Sequence, residues 1–529
     1  MQAAKYPPRA TRAERPGVRR RITYRPRVEN SGYRTSIVAN SSASVAVESQ
    51  AMSRIDLSPE QFYELSERVL RIALDHLEGL SNRPIPAKGT GAEIEQIFRR
   101  TPPAKGSPEE ALRGLQDAAR YSRAQNGRFF GYVLGSGEPA AALADLLCSV
   151  LNQNVTAWRS SPSAVTIEKE VVGWLAHAVG CDQFGGILTS GGSSANLMGL
   201  AMAREAKLTA NESGIRPTAP HAVYASTEAH MSISKAVSLL GMGRDNLRLI
   251  PVDDACRMLP EALEQTIRKD EELGITPVAV VATAGTVNTG AIDPLPAIAE
   301  IARAHNAWLH VDGSYGALAA LAIPEKFAAI ARADSLALDP HKWLYQPLDC
   351  GCLLHRDAQA ARTAFAHSGD YVRSFHEDGI ESHAYFEESI ELSRRFRALK
   401  LWFSLQYHGM ESFRESMRKD LRHAQRLGAA IEKTPELELM APIELSAVCF
   451  RYAGDGNSRV PELDRANIAI LRRVNQRGRV YLSNATLHSK FCLRACIVNH
   501  RTTDSDIDEV IPEVLGATQE VLADRVHRT

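Results

Sequence analysis

Up to about residue 54 the chain follows no apolar period. Arg19-Arg20-Arg21, scattered prolines and the Ser/Ala-rich stretch 40–53 fit neither a helix nor a strand repeat. A segment with little to bury cannot offset its ordering entropy, so residues 1–54 read as a disordered basic tail. Ser58-Pro59-Glu60-Gln61 is a capping-box pattern with proline at the first helical position. Phe62, Leu65, Val69, Ile72 and Leu77 then recur at helical spacing. Residues 55–145 read as a mostly helical N-terminal segment without a clear strand. From about 185 short β-rich runs alternate with helical stretches: Gly186–Thr189, Ala222–Ala225, Leu247–Val252, Val278–Thr283, Trp308–Val311, Ser335–Leu338 and Cys350–His355. Such alternation predicts βαβ units and a mostly parallel sheet with helices on both faces, here a large domain over 146–410. A helix over 412–433, strands near 447–452, 479–483 and 491–498, and a helix from Asp504 predict a small α+β domain over 411–529.

Composition narrows the class. The 529 residues, 44% hydrophobic and 23% charged, are ordinary for a soluble globular protein. The chain is long enough to need no disulfide or metal staple. It contains no run of about 18 apolar residues, so no membrane span is predicted. Lys+Arg and Asp+Glu cancel at 62 each, which argues against a general nucleic-acid binder. Charge is nevertheless uneven, because residues 1–35 hold ten Lys/Arg against Glu14 and Glu29. This tail lacks the apolar centre of a secretory signal. An Arg- and Ser-rich start also fits an organelle transit peptide, or a start codon set too far upstream. The eight cysteines, at 148, 181, 256, 350, 352, 449, 492 and 496, are scattered. That usage points to a reduced cytoplasmic chain. Cys350 and Cys352 form a C-x-C with no second thiol or histidine pair to complete a tetrahedral set, so no metal site is expected.

Three polar signals follow predicted strands, where open α/β sheets bind ligands. Thr189-Ser190-Gly191-Gly192-Ser193-Ser194 follows a strand and opens a helix over Ala195–Lys207. Glycines let backbone N–H groups approach an anion, and the helix N-terminus adds positive potential. On its own such a segment is more often only a turn. Asp312 ends the apolar run Trp308-Leu309-His310-Val311. It reads equally as a capped terminus, an ion pair, or the partner that keeps a pyridine nitrogen protonated. Lys342, in Leu338-Asp339-Pro340-His341-Lys342-Trp343, lies at the next strand end, 30 residues on. A surface loop lysine is the plain reading; in a dry pocket it would form a Schiff base. An anion cradle, a pyridinium partner and a Schiff-base lysine together are what pyridoxal 5'-phosphate (PLP) requires.

From Phe129-Phe130-Gly131-Tyr132 to near the C-terminus the chain resembles the group II PLP-dependent amino-acid decarboxylases, the family of aromatic L-amino-acid decarboxylase. Pro340-His341-Lys342-Trp343 is similar to the family's lysine motif, and His310-Val311-Asp312 to its pyridine-nitrogen motif. Tyr224-Ala225-Ser226 with Ala229-His230 resembles the segment of the ring-stacking histidine. Arg394-Arg395-Phe396-Arg397 with Leu399-Lys400-Leu401-Trp402-Phe403 resembles the helix after the mobile catalytic loop. The resemblance implies the fold type I of PLP enzymes (aspartate aminotransferase-like), with a seven-stranded mainly parallel sheet and a small C-terminal α+β domain. It also implies a homodimer with active sites at the interface, an amino-acid substrate, and no nucleic-acid or membrane partner.

By the same resemblance Lys342, His230, Tyr371 and Asp312 are the catalytic residues. Gly192, Ser193, His230, Thr286, Asp312, Ser314, His341 and Lys342 bind the cofactor; a strand-end turn threonine is the rival reading of Thr286. His230 and Tyr371 are both present, whereas aldehyde-forming members replace one of them, so decarboxylation to the amine and CO2 is implied. The favoured substrates are aromatic: tryptophan, tyrosine or DOPA. Two departures open alternatives. Asp339 stands where the animal enzymes have asparagine, and an ionised aspartate would repel the phosphate unless it turned away or paired with a cation. The pocket reads as less aromatic and more polar, with Tyr132-Val133-Leu134-Gly135, Asn154 and Thr156, which keeps open a smaller or polar acid such as 2,4-diaminobutyrate. Oxidative decarboxylation-deamination to an aldehyde is the other alternative.

Overall fold

The computed structural model describes residues 55–216, 218–367, 379–454 and 459–526. The chain up to Tyr63 forms one unit and Glu64–Thr529 another. In the first, Ser58 caps the helix that begins at Pro59. Gln61 N–H donates to Ser58 Oγ (3.2 Å) and Ser58 N–H to Gln61 Oε1 (3.0 Å), the reciprocal box read from the sequence.

In the second unit seven strands form one sheet: β1 (Gly185–Thr189), β2 (His221–Ser226), β3 (Leu247–Ile250), β4 (Thr276–Thr283), β5 (Trp308–Asp312), β6 (Ser335–Leu338) and β7 (Gly351–His355). Their order is β1-β7-β6-β5-β4-β2-β3. Only β7 is reversed, pairing antiparallel with both β1 and β6. The inner strands were legible as apolar runs because they are covered on both faces, whereas the edge strand β3 leaves Leu249 59% exposed. Val278 to Ala282 are fully buried, so the strands read as continuous rather than alternating. Each of Val278, Val280 and Val281 contributes about 1.5–3 kcal/mol on burial. The six co-directional strands bring Thr189, Ser226, Thr283, Asp312 and Leu338 to one edge of the sheet.

A four-stranded antiparallel sheet follows, in the order β10-β11-β9-β8: β8 (Leu437–Leu439), β9 (Ala447–Tyr452), β10 (Ser483–Leu487) and β11 (Lys490–Cys496). The helices Met410–Glu432, Val460–Arg477 and Val510–Val526 bury Leu427, Ile470 and Val514 in one core with Phe450 and Leu493 of its strands. Two expectations shift here. β8 is only three residues long and leaves no pattern to read. The expected strand 479–483 splits: 479–480 bend, Tyr481 bridges to Phe129, and Ser483 opens β10. Phe130 N–H donates to Tyr481 O (2.9 Å) and Tyr481 N–H to Arg128 O (3.1 Å).

The helical expectation for 55–145 matches the helices Pro59–Gly79, Gly91–Phe98, Pro108–Tyr121 and Pro139–Leu151. Their apolar stripes are not all covered. Leu65, Val69, Leu74 and Leu77 remain 38–46% exposed, and Leu143, Leu146, Leu147, Val150 and Leu151 remain 45–55% exposed. No helix among the described residues is long and apolar enough to cross a membrane.

Candidate functional site

At the strand-end edge lies a cavity of about 470 Å³. Its floor is the turn between β1 and the helix Gly192–Leu208. β7 presses on that turn, since a Cβ on Gly351 would lie 2.6 Å from Gly191 N. Gly191 has φ +152°, a conformation L side chains rarely adopt. Ser194 and Ala195 N–H donate to Gly191 O (3.0 and 3.1 Å), and the helix N-terminus, whose first N–H groups precede any intrahelical acceptor, suits an anion. Ser314 Oγ is buried beside Gly192 without a hydrogen-bond partner, an orphan that a ligand oxygen would satisfy.

Gly192, Ser193, His230, Asp312, Ser314, His341 and Lys342 all line this one cavity. Lys342 Nζ lies 2.8 Å from Asp339 Oδ2, and both side chains are largely buried. Asp339 therefore pairs with a cation, one of the two outcomes expected of it. His341 donates from Nδ1 to Cys350 O (2.7 Å), and burial holds its pKa below the ordinary histidine value. Asp312 accepts from Ser314 N–H (3.1 Å) and Asn196 Nδ2 (3.0 Å). Desolvation also lowers the pKa of His230, with Asp312 opposing it and Lys342 adding to it.

Other expectations fall elsewhere. The Thr286 hydroxyl is spent within its own turn, 2.8 Å from Thr289 Oγ1 and accepting Ala291 N–H (3.1 Å). Its neighbours Gly285 and Val287 line the cavity in its place. Asn154 and Thr156, read as polar pocket positions, do not line it either. Asn154 Oδ1 accepts Arg394 N–H at 2.8 Å, so its polarity serves the chain rather than a ligand. Tyr371 lies outside the described residues.

Several lining residues escaped sequence reasoning, among them Asn196, Thr283 and Arg494. Asn196 sits one turn into the cradle helix, at i+3 from Ser193, and that spacing was its only signal. Thr283 pairs in register with Asp312, and its Oγ1 is buried without a partner. Arg494, on β11, comes from the small sheet. Its guanidinium donates to Val287 O (2.6 Å) and Ser483 Oγ (3.1 Å) at the cavity wall. Nothing local marks it, because its place depends on how β11 folds back.

The donor set fits PLP: N–H groups and an orphan hydroxyl for a phosphate, a carboxylate for a pyridinium and a primary amine for an aldehyde. The pyridoxal-dependent decarboxylase conserved domain matches residues 118–453. An aromatic-L-amino-acid decarboxylase of Bacillus atrophaeus is 33% identical, covering 88% of this chain and 97% of its own. A phenylacetaldehyde synthase of a Rosa hybrid cultivar is 26% identical, covering 88% of this chain and 96% of its own. Among solved structures, Oryza sativa TDC with PLP and tryptamine superposes with a TM-score of 0.83 at 25% identity, covering 88% of this chain and 99% of that one. The chain belongs to the pyridoxal-dependent decarboxylase family, and is a PLP-dependent carboxy-lyase acting on an amino acid.

Proposed function

We propose that the enzyme decarboxylates an aromatic L-amino acid, such as tryptophan, tyrosine or DOPA, to the amine and CO2. The observation that carries this is the convergence of Lys342, Asp312 and the Gly192/Ser314 cradle on one cavity whose remaining walls include Tyr132, Val133, Val287, Tyr315 and Leu348. Flat rings bind by packing on such aromatic and aliphatic surfaces. Bound PLP supplies the electron sink that takes up the bonding pair when the Cα–carboxylate bond breaks. In this reading Lys342 Nζ would hold the cofactor through its aldehyde. Asp312 keeps the proton on the pyridine nitrogen. Gly192, Ser193 and Ser314 would hold the phosphate with His341 nearby, and His230 would stack on the ring. Arg494 offers a cation to the substrate carboxylate. Tyr371 returns a proton to Cα, which separates amine from aldehyde as product. Thr286 supports the wall through its turn.

The same proposal extends to a homodimer with active sites at the interface, supported by the exposed leucines of Pro139–Leu151; isologous apolar faces of this kind are what such dimers bury. It also includes a cytoplasmic location, in keeping with eight unpaired cysteines, and a division into tail 1–54, helical segment 55–145, large domain 146–410 and small domain 411–529.

A second reading, oxidative conversion to an aldehyde, is favoured by the likeness to the rose phenylacetaldehyde synthase. A third, a smaller or polar substrate such as 2,4-diaminobutyrate, draws on the polar lining residues Ser194, Asn196 and Arg494. The test is to incubate the PLP-loaded enzyme with each of the twenty L-amino acids, DOPA, 5-hydroxytryptophan and 2,4-diaminobutyrate, recording CO2 and identifying the product by mass spectrometry. Amine from an aromatic acid is expected; aldehyde as main product, or amine only from a polar acid, would replace the reading. Tyr371→Phe should still release CO2 but shift product towards aldehyde.

A further inference from the structure

One buried side chain on the cradle helix reaches residues on both sides of the cavity. Asn196 gives one amide hydrogen to Asp312 Oδ2 (3.0 Å) and the other to Ser232 Oγ (2.9 Å), while its carbonyl faces His310 Nε2 at 2.9 Å. The amide orientation follows from its partners, because an ionised carboxylate only accepts, so nitrogen must face Asp312. His310 then donates from Nε2. Trp308 Nε1 donates to Ser335 Oγ (2.8 Å), and Ser335 gives its own hydrogen to His310 Nδ1 (2.8 Å), which leaves the hydrogen of His310 where Asn196 needs it. Burial keeps that ring neutral, its pKa lowered to about 4.

On the other side, Ser232 Oγ already accepts from Asn196, so its single hydrogen goes to His230 Nδ1 (2.8 Å). The Ser232 backbone N–H points at the same nitrogen (3.3 Å). The neutral His230 ring therefore carries its hydrogen on Nε2. Donors and acceptors match at every link only when the chain runs in this one direction, from Trp308 through Asn196 to His230.

We propose that Asn196 is a positioning residue that holds two cavity groups at once: the Asp312 carboxylate directly, and the His230 ring through the Ser232 hydroxyl. The proposal rests on the functional reading above, in which those two groups engage the cofactor. It assigns to one amide the joint orientation of both.

The test begins with two variants of equal shape. Asn196→Thr retains one hydroxyl hydrogen for Asp312, and Asn196→Val retains none. A hydrogen bond to a charged group predicts that Val binds PLP about tenfold or more weakly than Thr in a titration of the apoenzyme. Equal dissociation constants for the two would overturn the proposal, since shape alone would then explain the site. A second measurement needs no cofactor: the ring-proton titration of His230 by NMR in the PLP-free protein, assigned with His230→Gln.

Asp312, Lys342, Asp339 and Lys235 are the charged groups around that ring, and none is altered by Ser232→Ala. Losing a donor aimed at Nδ1 destabilises the neutral ring, so Ser232→Ala should raise the midpoint by about half a pH unit or more. In the Asn196→Val background the same substitution should move it by less, because the hydroxyl has lost the donor that orients it. Full additivity of the two changes, or no shift with Ser232→Ala, would overturn the junction. A wild-type protein with no PLP absorbance band would sink the functional reading instead, and leave the NMR arm standing.

Discussion

Gly192 offers a sharp test of the cradle. A Cβ built there would lie well inside contact with Ser314 Oγ, 2.7 Å from Ser314 Cβ and 2.9 Å from Asp339 Oδ2. Gly192→Ala must therefore push Ser314 or Asp339 aside. Overpacking of this kind costs about 1–3 kcal/mol. Ser314 Oγ has no partner within the chain, so its hydroxyl can swing away in the PLP-free protein at little cost. The strain is expected when PLP binds and the hydroxyl must return, and about 1–3 kcal/mol corresponds to roughly 5- to 150-fold in Kd. Ser314→Ala alone also weakens binding, by removing a donor, and it relieves the Oγ contact while the approaches to Ser314 Cβ and Asp339 Oδ2 remain. Gly192→Ala in that background should then lose a smaller factor than in the wild type. Directly contacting residues couple by about 0.5–3 kcal/mol, and we expect at least 1 kcal/mol here. PLP titration of the four apoenzymes, followed by fluorescence quenching, measures the cycle. Gly114→Ala serves as control, since a Cβ there meets nothing within 4 Å. The reasoning fails if Gly192→Ala binds PLP like wild type, or if it loses the same factor in both backgrounds.

Other outcomes follow from single contacts. Lys342→Ala should abolish turnover while the cradle and Asp312 still bind PLP; borohydride should fix a pyridoxyl group to Lys342 in the wild type only. Glu168 and Arg394 form a fully buried ion pair at 2.5 Å, and Arg394 also donates to Leu188 O (2.9 Å) beside the cradle. Breaking such a pair costs about 3–5 kcal/mol, so Glu168→Gln should lower the urea midpoint clearly. Burial raises Asp420 from the ordinary 3.8 to about 8, while Tyr345 donates to its Oδ2 (2.8 Å). The folded state favours the protonated acid, so this contribution to stability is full below about pH 4 and lost as pH rises through 8. Asp420→Asn should flatten that decline, and parallel stability curves for the two proteins would contradict it. All eight cysteines are buried and unpaired, so a thiol reagent should find none in the native protein and eight after denaturation.

What was legible in the sequence was what local chemistry dictates. The inner strands of the large sheet appear as apolar runs because both their faces are covered, and Asp312 and Lys342 stand out because each ends or follows such a run. What was hidden depends on how distant segments fold back. Arg494 reaches the cavity wall from a strand more than 150 residues beyond Lys342, with no local pattern to mark it. Asn154 looked like a pocket residue because its polarity was visible while its partner, Arg394 N–H, lies 240 residues away. Thr286 was named through the resemblance, with a strand-end turn threonine as its rival reading, and its hydroxyl lies 2.8 Å from Thr289 Oγ1 within its own turn.

Asp339 is the instructive middle case, since its charge was taken as a conflict with a phosphate. Its partner was in plain sight three residues on: Asp339 is the residue before the short helix Pro340–Trp343, and i,i+3 spacing brings Lys342 back over it. The carboxylate is thus matched to the lysine rather than to the cradle. Its other oxygen, Oδ1, stays buried without a hydrogen-bond partner, a cost that the Lys342 pairing must offset. Any ligand that engages the lysine amine therefore also changes the charge balance of Asp339. In the proposed reading a cofactor aldehyde would compete with Asp339 for the same nitrogen, so Asp339→Asn should lower the Kd for PLP in a titration of the apoenzyme.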